Sequence, residues 1–176
     1  EIDYALETDI LMFNVESPVE LELINRRAAL LKKQAPVAIR VNPDVDPKTH
    51  PYISTGLKKN KFGINTDAAI ESYRLAGSLE NVDVVGIDCH IGSQLTSVEP
   101  FLDAIDRLLQ MVDQLASKGI VLKHFDMGGG LGVTYGKEQP PHPSDLIAAV
   151  KDRFVNRELT LLVEPGRSIA ANAGIF

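Results

Sequence analysis

The segment LKHFDMGGGLG, residues 122–132, begins as an apolar strand and then places four glycines within five positions. Glycine weakens the interior of a strand, because it packs no side chain and loses much backbone entropy on folding. The glycine run therefore predicts the end of a strand, where the backbone approaches another group closely. Two explanations fit: bare N–H groups that bind an anion, or a tight turn packed against a neighbouring segment.

Four further apolar, β-branched runs lie along the chain, and amphipathic stretches separate them. Continuous apolar runs are typical of strands buried on both faces, as in a parallel sheet. The predicted strands cover 9–15, 37–42, 82–91, 122–128 and 160–166. This alternation predicts an α/β fold with right-handed crossovers. The fold is either an open doubly wound sheet or about five consecutive βα units of a (β/α)₈ barrel, which as a rule needs about 250 residues.

The predicted helices have recognisable start and stop signals. SPVE at 17–20 has an N-cap serine, a first-turn proline and a glutamate at the capping-box position. TSVE at 96–99 repeats the capping-box spacing before an apolar stripe, and Gly119 fits the end of that helix. The stripe consists of Phe101, Ile105, Leu108, Val112 and Leu115. Two more helices are predicted at 67–77 and at about 144–153.

Composition excludes several classes of protein. The chain has 176 residues, of which 44% are hydrophobic, and its net charge of -6 argues against nucleic-acid binding. Its one cysteine, Cys89, excludes an internal disulfide and is predicted to be a small buried apolar residue. No apolar run approaches the roughly 20 residues that span a bilayer. The start has no signal-peptide pattern and no initiator Met, so we expect a piece of a longer chain.

Unusual residues gather where three predicted strands end. HIGSQ follows one strand at 90–94, the glycine run follows the next, and EPGRS follows the last at 164–168. Because the carboxyl ends of parallel strands meet at one edge, the sequence predicts a shared ligand site there. The glycines match neither the dinucleotide fingerprint nor a Walker loop. The long segment 43–65, with its basic cluster at 58–61, is either a functional loop or a solvated one.

Single residues at these ends have two interpretations each. Glu164 closes an apolar strand, so it either points into the site or forms a surface pair with Arg167 worth under about 1 kcal/mol. His90 is either a hydrogen-bonded core histidine or a flat surface for a ring, and Ser93 can donate to a phosphate. The other histidines show no metal-ligand spacing, so no metal is predicted; they are His50, His124 and His142.

The order of HIGSQ, GGGLG and EPGR resembles the alanine-racemase-like barrel of pyridoxal-phosphate decarboxylases, the class of the ornithine, lysine and arginine enzymes. FNVES at 13–17 and YISTGLKKNKFGI at 52–64 narrow the resemblance to the meso-diaminopimelate decarboxylase family. The similarity extends over nearly the whole chain. It implies one partial domain, residues 1–176, of a pyridoxal-phosphate-binding (β/α)₈ TIM-type barrel.

The resemblance also implies roles for individual residues. The implied cofactor-binding residues are His90, Ser93, Gly128, Gly129, Gly130, Glu164 and Gly166. Among them, His90 would stack on the pyridine ring, and Glu164 would keep the pyridine nitrogen protonated. Arg167 would bind a substrate carboxylate with its planar fork. The implied reaction is decarboxylation of meso-2,6-diaminopimelate to L-lysine and CO₂.

The family's Schiff-base lysine lies on the first barrel strand, upstream of the residues present, and none of the lysines in this chain fits that role. The family's C-terminal β-domain, which brings an active-site cysteine across a dimer interface, is also missing. We therefore expect an internal fragment of a cytoplasmic, homodimeric enzyme that binds an amino acid. By itself it is expected to have no decarboxylase activity.

Three alternatives stay open at this point. The first is a non-enzymatic protein of pyridoxal-phosphate homeostasis on the same barrel, for which Arg167 would have no use. The second is a decarboxylase of the same fold that acts on ornithine or arginine. The third is a racemase, but such racemases tend to place an arginine at the pyridine nitrogen, so Glu164 argues against it.

Overall fold

The computed structural model describes residues 1–45 and 62–174, and these form one parallel sheet with helices. The elements are α1 (Ile2–Glu7), β1 (Phe13–Val15), α2 (Pro18–Leu31), β2 (Ala35–Asn42), β3 (Ile64–Asn65), α3 (Thr66–Ser78), β4 (Val82–Asp88), α4 (Glu99–Ala116), β5 (His124–Asp126), α5 (Pro143–Lys151), a 3₁₀ turn (Asp152–Phe154), β6 (Thr160–Leu162) and α6 (Gly166–Ala170).

The main strands lie side by side in the order β1-β2-β4-β5-β6, and short β3 pairs with β2. Every pairing is parallel. The predicted parallel α/β architecture and all five predicted strands are therefore confirmed, although most strands are shorter than predicted. The sequence reasoning missed α1, β3 and α6, because each is too short to show a period. Gly166 begins α6 and does not end the predicted strand 160–166.

Two helix starts had the same sequence signal but differ in the structure. The Oγ of Ser17 accepts a hydrogen bond from the backbone N–H of Glu20 at 3.2 Å, so the predicted cap of α2 is confirmed. The predicted capping box at 96–99 is wrong. Helix α4 begins at Glu99 after Val98, which already has helical backbone angles, and no side chain caps it. Thr96 thus lies two residues before the cap, too early to reach the first-turn amides.

The helices cover one face of the sheet, which we call the outer face. The predicted stripe of α4 is buried, and the outer-face side chains Ile39, Ile87 and Phe125 are fully buried in the same core. The ring of Phe125 meets the ring of Phe154 edge-on at 5.2 Å. Cys89 is a free thiol, 1% exposed, as predicted. Across the described residues no helix is both long and apolar enough to cross a membrane.

The opposite face, which we call the inner face, is polar. Strand register places Arg40, Asp88 and Asp126 side by side on three neighbouring strands. Paired residues of adjacent parallel strands point the same way, so these three side chains form one row. The expectation of strands buried on both faces is confirmed for Asp88 and Asp126, which are 3% and 5% exposed. The residues buried in this row are charged, however, and this has a functional consequence described below.

Candidate functional site

A cavity of about 490 Å³ opens beyond the carboxyl ends of β4, β5 and β6. Its lining includes every residue that the sequence placed in the site: His90, Ser93, Gly128, Gly129, Gly130, Glu164, Gly166 and Arg167. Three strand ends that are far apart in sequence thus converge, as the parallel topology predicts. The role of each residue stays a prediction, and the contacts around the cavity bear on those roles.

The glycine run allows three backbone segments to touch. A Cβ on Gly128 would lie 2.3 Å from the carbonyl oxygen of Cys89, and one on Gly129 would lie 2.2 Å from that of Glu164. Gly130 has a φ of +107°, and its Cβ would lie 2.2 Å from the carbonyl oxygen of Gly92. These contacts favour tight packing over anion binding as the first reason for the glycines.

The backbone N–H groups of the run are partly engaged within the protein. Gly128 donates to Asp126 Oδ1 at 2.9 Å, and Gly129 donates to His90 Nδ1 at 3.2 Å. The N–H of Gly130 has no acceptor among the described residues. The predicted phosphate contact through the run is therefore best placed at Gly130.

Gly166 differs from the glycine run. A Cβ added to Gly166 would meet no atom within 4 Å, although the residue lines the cavity. Packing within the protein therefore does not require glycine at this position. The free space lies where a bound ligand would approach, which fits the predicted cofactor.

His90 presents a neutral imidazole to the cavity. Its Nδ1 accepts a hydrogen bond, so the proton of the neutral ring lies on Nε2. Burial lowers the pKa of His90, and the positive charge of Arg40 lowers it further. Nδ1 lies 3.8 Å from Glu164 Oε2, a distance that counts as an ion pair only when the ring is protonated. A neutral flat ring suits the predicted stacking role.

Glu164 points into the site and does not pair with Arg167. Its side chain is 49% exposed, and its backbone N–H donates to the carbonyl of Gly128 at 2.9 Å. Burial raises the pKa of Glu164, and the neighbouring carboxyl of Asp126 raises it further, while Arg40 opposes the shift. Arg167 donates instead to Ser93 Oγ and Gln94 Oε1. The alternative of a Glu164–Arg167 surface pair is therefore wrong.

Three carboxyl groups lie together beneath the cavity, and sequence reasoning found only one of them. Carboxylate oxygens of Asp88, Asp126 and Glu164 all lie within 4.8 Å of one another. Asp88 is 3% exposed, and its pKa rises to about 8 because of burial first and the charges of Asp126 and Glu164 next. Its Oδ1 has no hydrogen-bond partner among the described residues. Like charges this close oppose ionisation of Asp88, so its raised pKa favours the protonated form at neutral pH.

Arg40 on β2 places a positive charge beside the carboxyl cluster. The Nε of Arg40 lies 4.0 Å from Asp88 Oδ2, and the guanidinium also pairs with Glu16. From β1, Asn14 donates to Asp126 Oδ2 at 3.3 Å. The sequence signal was present but hidden, because Arg40, Asp88 and Asp126 are each flanked on both sides by an apolar residue.

A second cavity, of about 430 Å³, adjoins the first. It is lined by Asn14, Glu16, Arg40, Phe62, Asp88, His90 and Glu164. His90 and Glu164 line both cavities, so they divide an apolar chamber from a charged one. No lysine among the described residues lines either cavity.

The carboxyl cluster is the one grouping within 1–45 and 62–174 whose spacing could hold a metal ion. The sequence predicted no metal, and this stays a prediction.

His142 caps helix α5 by accepting from the N–H of Ser144. His50, the basic cluster at 58–61 and most of the predicted loop 43–65 lie outside the described residues.

Residues 1–171 match the family model for the pyridoxal binding domain of pyridoxal-dependent decarboxylases. The chain belongs to this family, so the cavity beside His90 and Glu164 lies in a pyridoxal-binding domain. The predicted cofactor, pyridoxal 5′-phosphate, is thereby confirmed at the level of the family.

The relatives narrow the class further. The chain is 60% identical over 172 residues to a diaminopimelate decarboxylase from Pseudomonas aeruginosa, covering 98% of this chain and 41% of that protein. It is 58% identical to the diaminopimelate decarboxylase of Haemophilus influenzae, over all of this chain and 43% of the relative. The chain therefore spans about two fifths of the length of these curated relatives.

Solved structures agree with the fold. A diaminopimelate decarboxylase from Helicobacter pylori, complexed with L-lysine, superposes with a TM-score of 0.90 at 42% identity. The superposition covers 96% of this chain and 43% of that one. The predicted fold class, a portion of a pyridoxal-binding TIM-type barrel, is confirmed.

Proposed function

We propose that the protein containing this chain decarboxylates meso-2,6-diaminopimelate to L-lysine and CO₂, with pyridoxal 5′-phosphate bound in the 490 Å³ cavity. The observation that supports this most directly is the convergence of His90, the glycine run and Glu164 on one cavity. The names of the relatives with 60% and 58% identity supply the substrate.

The bound cofactor would supply an electron sink for the electron pair left when the C–C bond to the departing carboxylate breaks. Glu164 would hold a proton at the pyridine nitrogen, because its carboxylate lies at the wall between the two cavities. Burial and, next, the neighbouring carboxyl of Asp126 raise the pKa of Glu164 and so make it a stronger base toward that proton. His90 would cover one face of the ring with its neutral imidazole and exclude water from it.

The cofactor phosphate would be bound by groups that can still form a hydrogen bond to it or that leave space beside them for it. Ser93 lines the cavity with its hydroxyl, and Gly130 keeps its N–H available among the described residues. Gly166 leaves room for close approach of an oxyanion. Arg167 would place its guanidinium on a carboxylate of the substrate, for which a planar fork is suited.

The alternatives are less well supported. A racemase would need a cation at the pyridine nitrogen, whereas the residue at this wall is the carboxylate Glu164. A non-enzymatic cofactor carrier would need no group for a substrate carboxylate, which is the role predicted for Arg167 in the same cavity. An arginine decarboxylase of Paramecium bursaria Chlorella virus shares the fold at only 27% identity, so ornithine or arginine is a weaker choice of substrate.

Substitution of Glu164 tests the proposal. In the protein that contains this chain, Glu164→Gln should lower kcat for lysine formation on the order of 100-fold, because the amide cannot hold the ring proton. The control is Glu158→Gln, an exposed glutamate outside both cavities, which should leave kcat unchanged. Wild-type kcat in Glu164→Gln would refute the role, and a wild-type protein that releases no CO₂ from diaminopimelate would refute the function.

We also propose that the intact enzyme is a cytoplasmic homodimer, and that the 176-residue chain alone forms no lysine. The second statement rests on the lack of a lysine at either cavity among the described residues. Sedimentation of the intact protein tests the dimer. An assay of the isolated chain tests its inactivity, and a substantial rate would refute it.

A further inference from the structure

Gln94 contacts two different segments with one carboxamide. Its Oε1 accepts from the backbone N–H of Val133 at 3.1 Å and from Nη1 of Arg167 at 2.9 Å. Its Nε2 donates to the carbonyl oxygen of Val133. The carboxamide is thus fixed by both backbone groups of one residue, and it directs its oxygen at the guanidinium.

The backbone around Gln94 is held equally firmly. The N–H of Leu95 donates to the carbonyl of Gly130 at 2.9 Å, and the carbonyl of Leu95 accepts from the N–H of Gly132 at 2.9 Å. Gln94 itself has a φ of +59°, a left-handed conformation that a residue with a side chain adopts only at a cost. The surrounding contacts therefore hold a residue other than glycine where glycine would be favoured.

Close packing explains why Gly132, the last residue of the GGGLG motif, is a glycine. A Cβ on Gly132 would lie 2.9 Å from the carbonyl oxygen of Leu95 and 3.3 Å from Cδ of Gln94. The missing side chain leaves space for the carboxamide. Gly132 therefore packs against the Gln94 carboxamide, and that carboxamide in turn contacts Arg167.

Arg167 lines the cavity and is half-buried, and its two terminal nitrogens donate to Gln94 and to Ser93. A guanidinium held at both nitrogens keeps one orientation, so little side-chain entropy is lost when it binds an anion. We propose that Gln94 is a positioning residue, which orients Arg167 so that its guanidinium binds an oxyanion of the ligand in this cavity. The proposal rests on the proposed function, and the oxyanion is either the cofactor phosphate or a substrate carboxylate.

A double-mutant cycle separates positioning from a structural role. In the protein that contains this chain, Gln94→Met keeps the side-chain length and removes the hydrogen bonds, and Arg167→Met removes the guanidinium. Gln94→Met should weaken oxyanion binding about tenfold. The double variant should be no weaker than Arg167→Met alone. Additive effects, or no effect of Gln94→Met, would overturn the proposal.

Two measurements distinguish the sources of the oxyanion. If the phosphate is held, Gln94→Met weakens the affinity of the apoprotein for pyridoxal 5′-phosphate about tenfold and leaves that for pyridoxal unchanged. If a carboxylate is held, the KM for meso-diaminopimelate rises about tenfold while kcat changes little. A wild-type protein that binds the cofactor but releases no CO₂ would refute the function while the cofactor arm still decides the positioning role.

Two further variants distinguish a loss of oxyanion binding from a loss of folding. Gln94→Gly removes the side chain but suits the positive φ, so it should keep the wild-type unfolding temperature and still weaken oxyanion binding. Gln110→Met changes an exposed glutamine on α4 outside both cavities and should leave both affinities unchanged. Wild-type oxyanion affinity in a well-folded Gln94→Gly variant would overturn the proposal.

Discussion

The two faces of the sheet differ sharply, although they alternate along the same strands. Ile39, Ile87 and Phe125 are paired across the sheet and fully buried against the helices. The next residue on each strand belongs to the polar row of Arg40, Asp88 and Asp126. Stability therefore comes mainly from one face and chemistry from the other, and a shift of one residue in register would exchange them.

The largest expected effect lies on the outer face. Phe125→Ala should lower the free energy of unfolding by about 3–5 kcal/mol, because it leaves a cavity in a fully buried core and removes the contact with Phe154. Denaturant titration of the protein that contains this chain measures the change. A loss below about 1 kcal/mol would mean that the outer face does not carry the stability.

The next effect lies where the strands end. Gly129→Ala should lower the free energy of unfolding by about 1–3 kcal/mol, because its Cβ would meet the carbonyl oxygen of Glu164 at 2.2 Å. It should also lower the affinity for pyridoxal 5′-phosphate, measured by absorbance titration, since Glu164 must move. The matched control is Gly77→Ala in α3, whose Cβ meets no atom within 4 Å. The control should stabilise by about 0.5–1 kcal/mol, and equal effects of the two changes would contradict the packing explanation.

The last effect concerns protons on the inner face, and it is the smallest when taken for each pH unit. Asp88 has a folded-state pKa of about 8 against an ordinary value of 3.8, so between these values the folded chain holds a proton that the unfolded chain has lost. Stability should therefore fall as pH rises from about 4 to 8, by at most about 1.4 kcal/mol per pH unit. Asp88→Asn should remove this dependence, and the difference between the two stability curves isolates it.

His90 changes the free energy of unfolding with pH in the opposite direction. Its folded-state pKa is lowered, so its contribution to stability is present above its ordinary pKa of 6.5 and is lost as pH falls. Asp88 also faces Asp126, Glu164, Arg40 and Glu16 from neighbouring elements, so only the difference curve is assigned to it. Curves for wild type and Asp88→Asn that stay parallel from pH 5 to 8 would show that Asp88 is ionised.

Much of the fold could be predicted from local patterns. The stripe of α4 and the serine cap of α2 depend on a few neighbouring residues, and both are confirmed. The same spacing failed at 96–99, because the helix began three residues later than Thr96 and nothing local marks that choice. Convergence of His90, Gly128 and Glu164 followed from parallel topology alone.

The polar row could not be predicted, because an apolar residue flanks each member on both sides in the sequence and nothing local marks the three as a group. The place of Asp88 in a charged row is visible only from the strand register, which puts it beside Arg40 and Asp126. The reason for the glycines was equally hidden. Sequence allowed both a phosphate loop and close packing, and only the 2.2 Å approach of a Cβ on Gly129 to the Glu164 carbonyl separated them.

The hydrogen bond between Asn14 and Asp126 joins residues 112 positions apart, and Asp126 also holds the N–H of Gly128. Contacts between such distant positions carry a large entropic cost of loop closure, so they form slowly and late during folding. The carboxylate of Asp126 thus links the turn beside the cavity to the first strand, through one local hydrogen bond and one long-range one. A newly made chain should acquire its ligand-binding ability after most of its helices have formed, and binding would report on the maturation of the whole sheet.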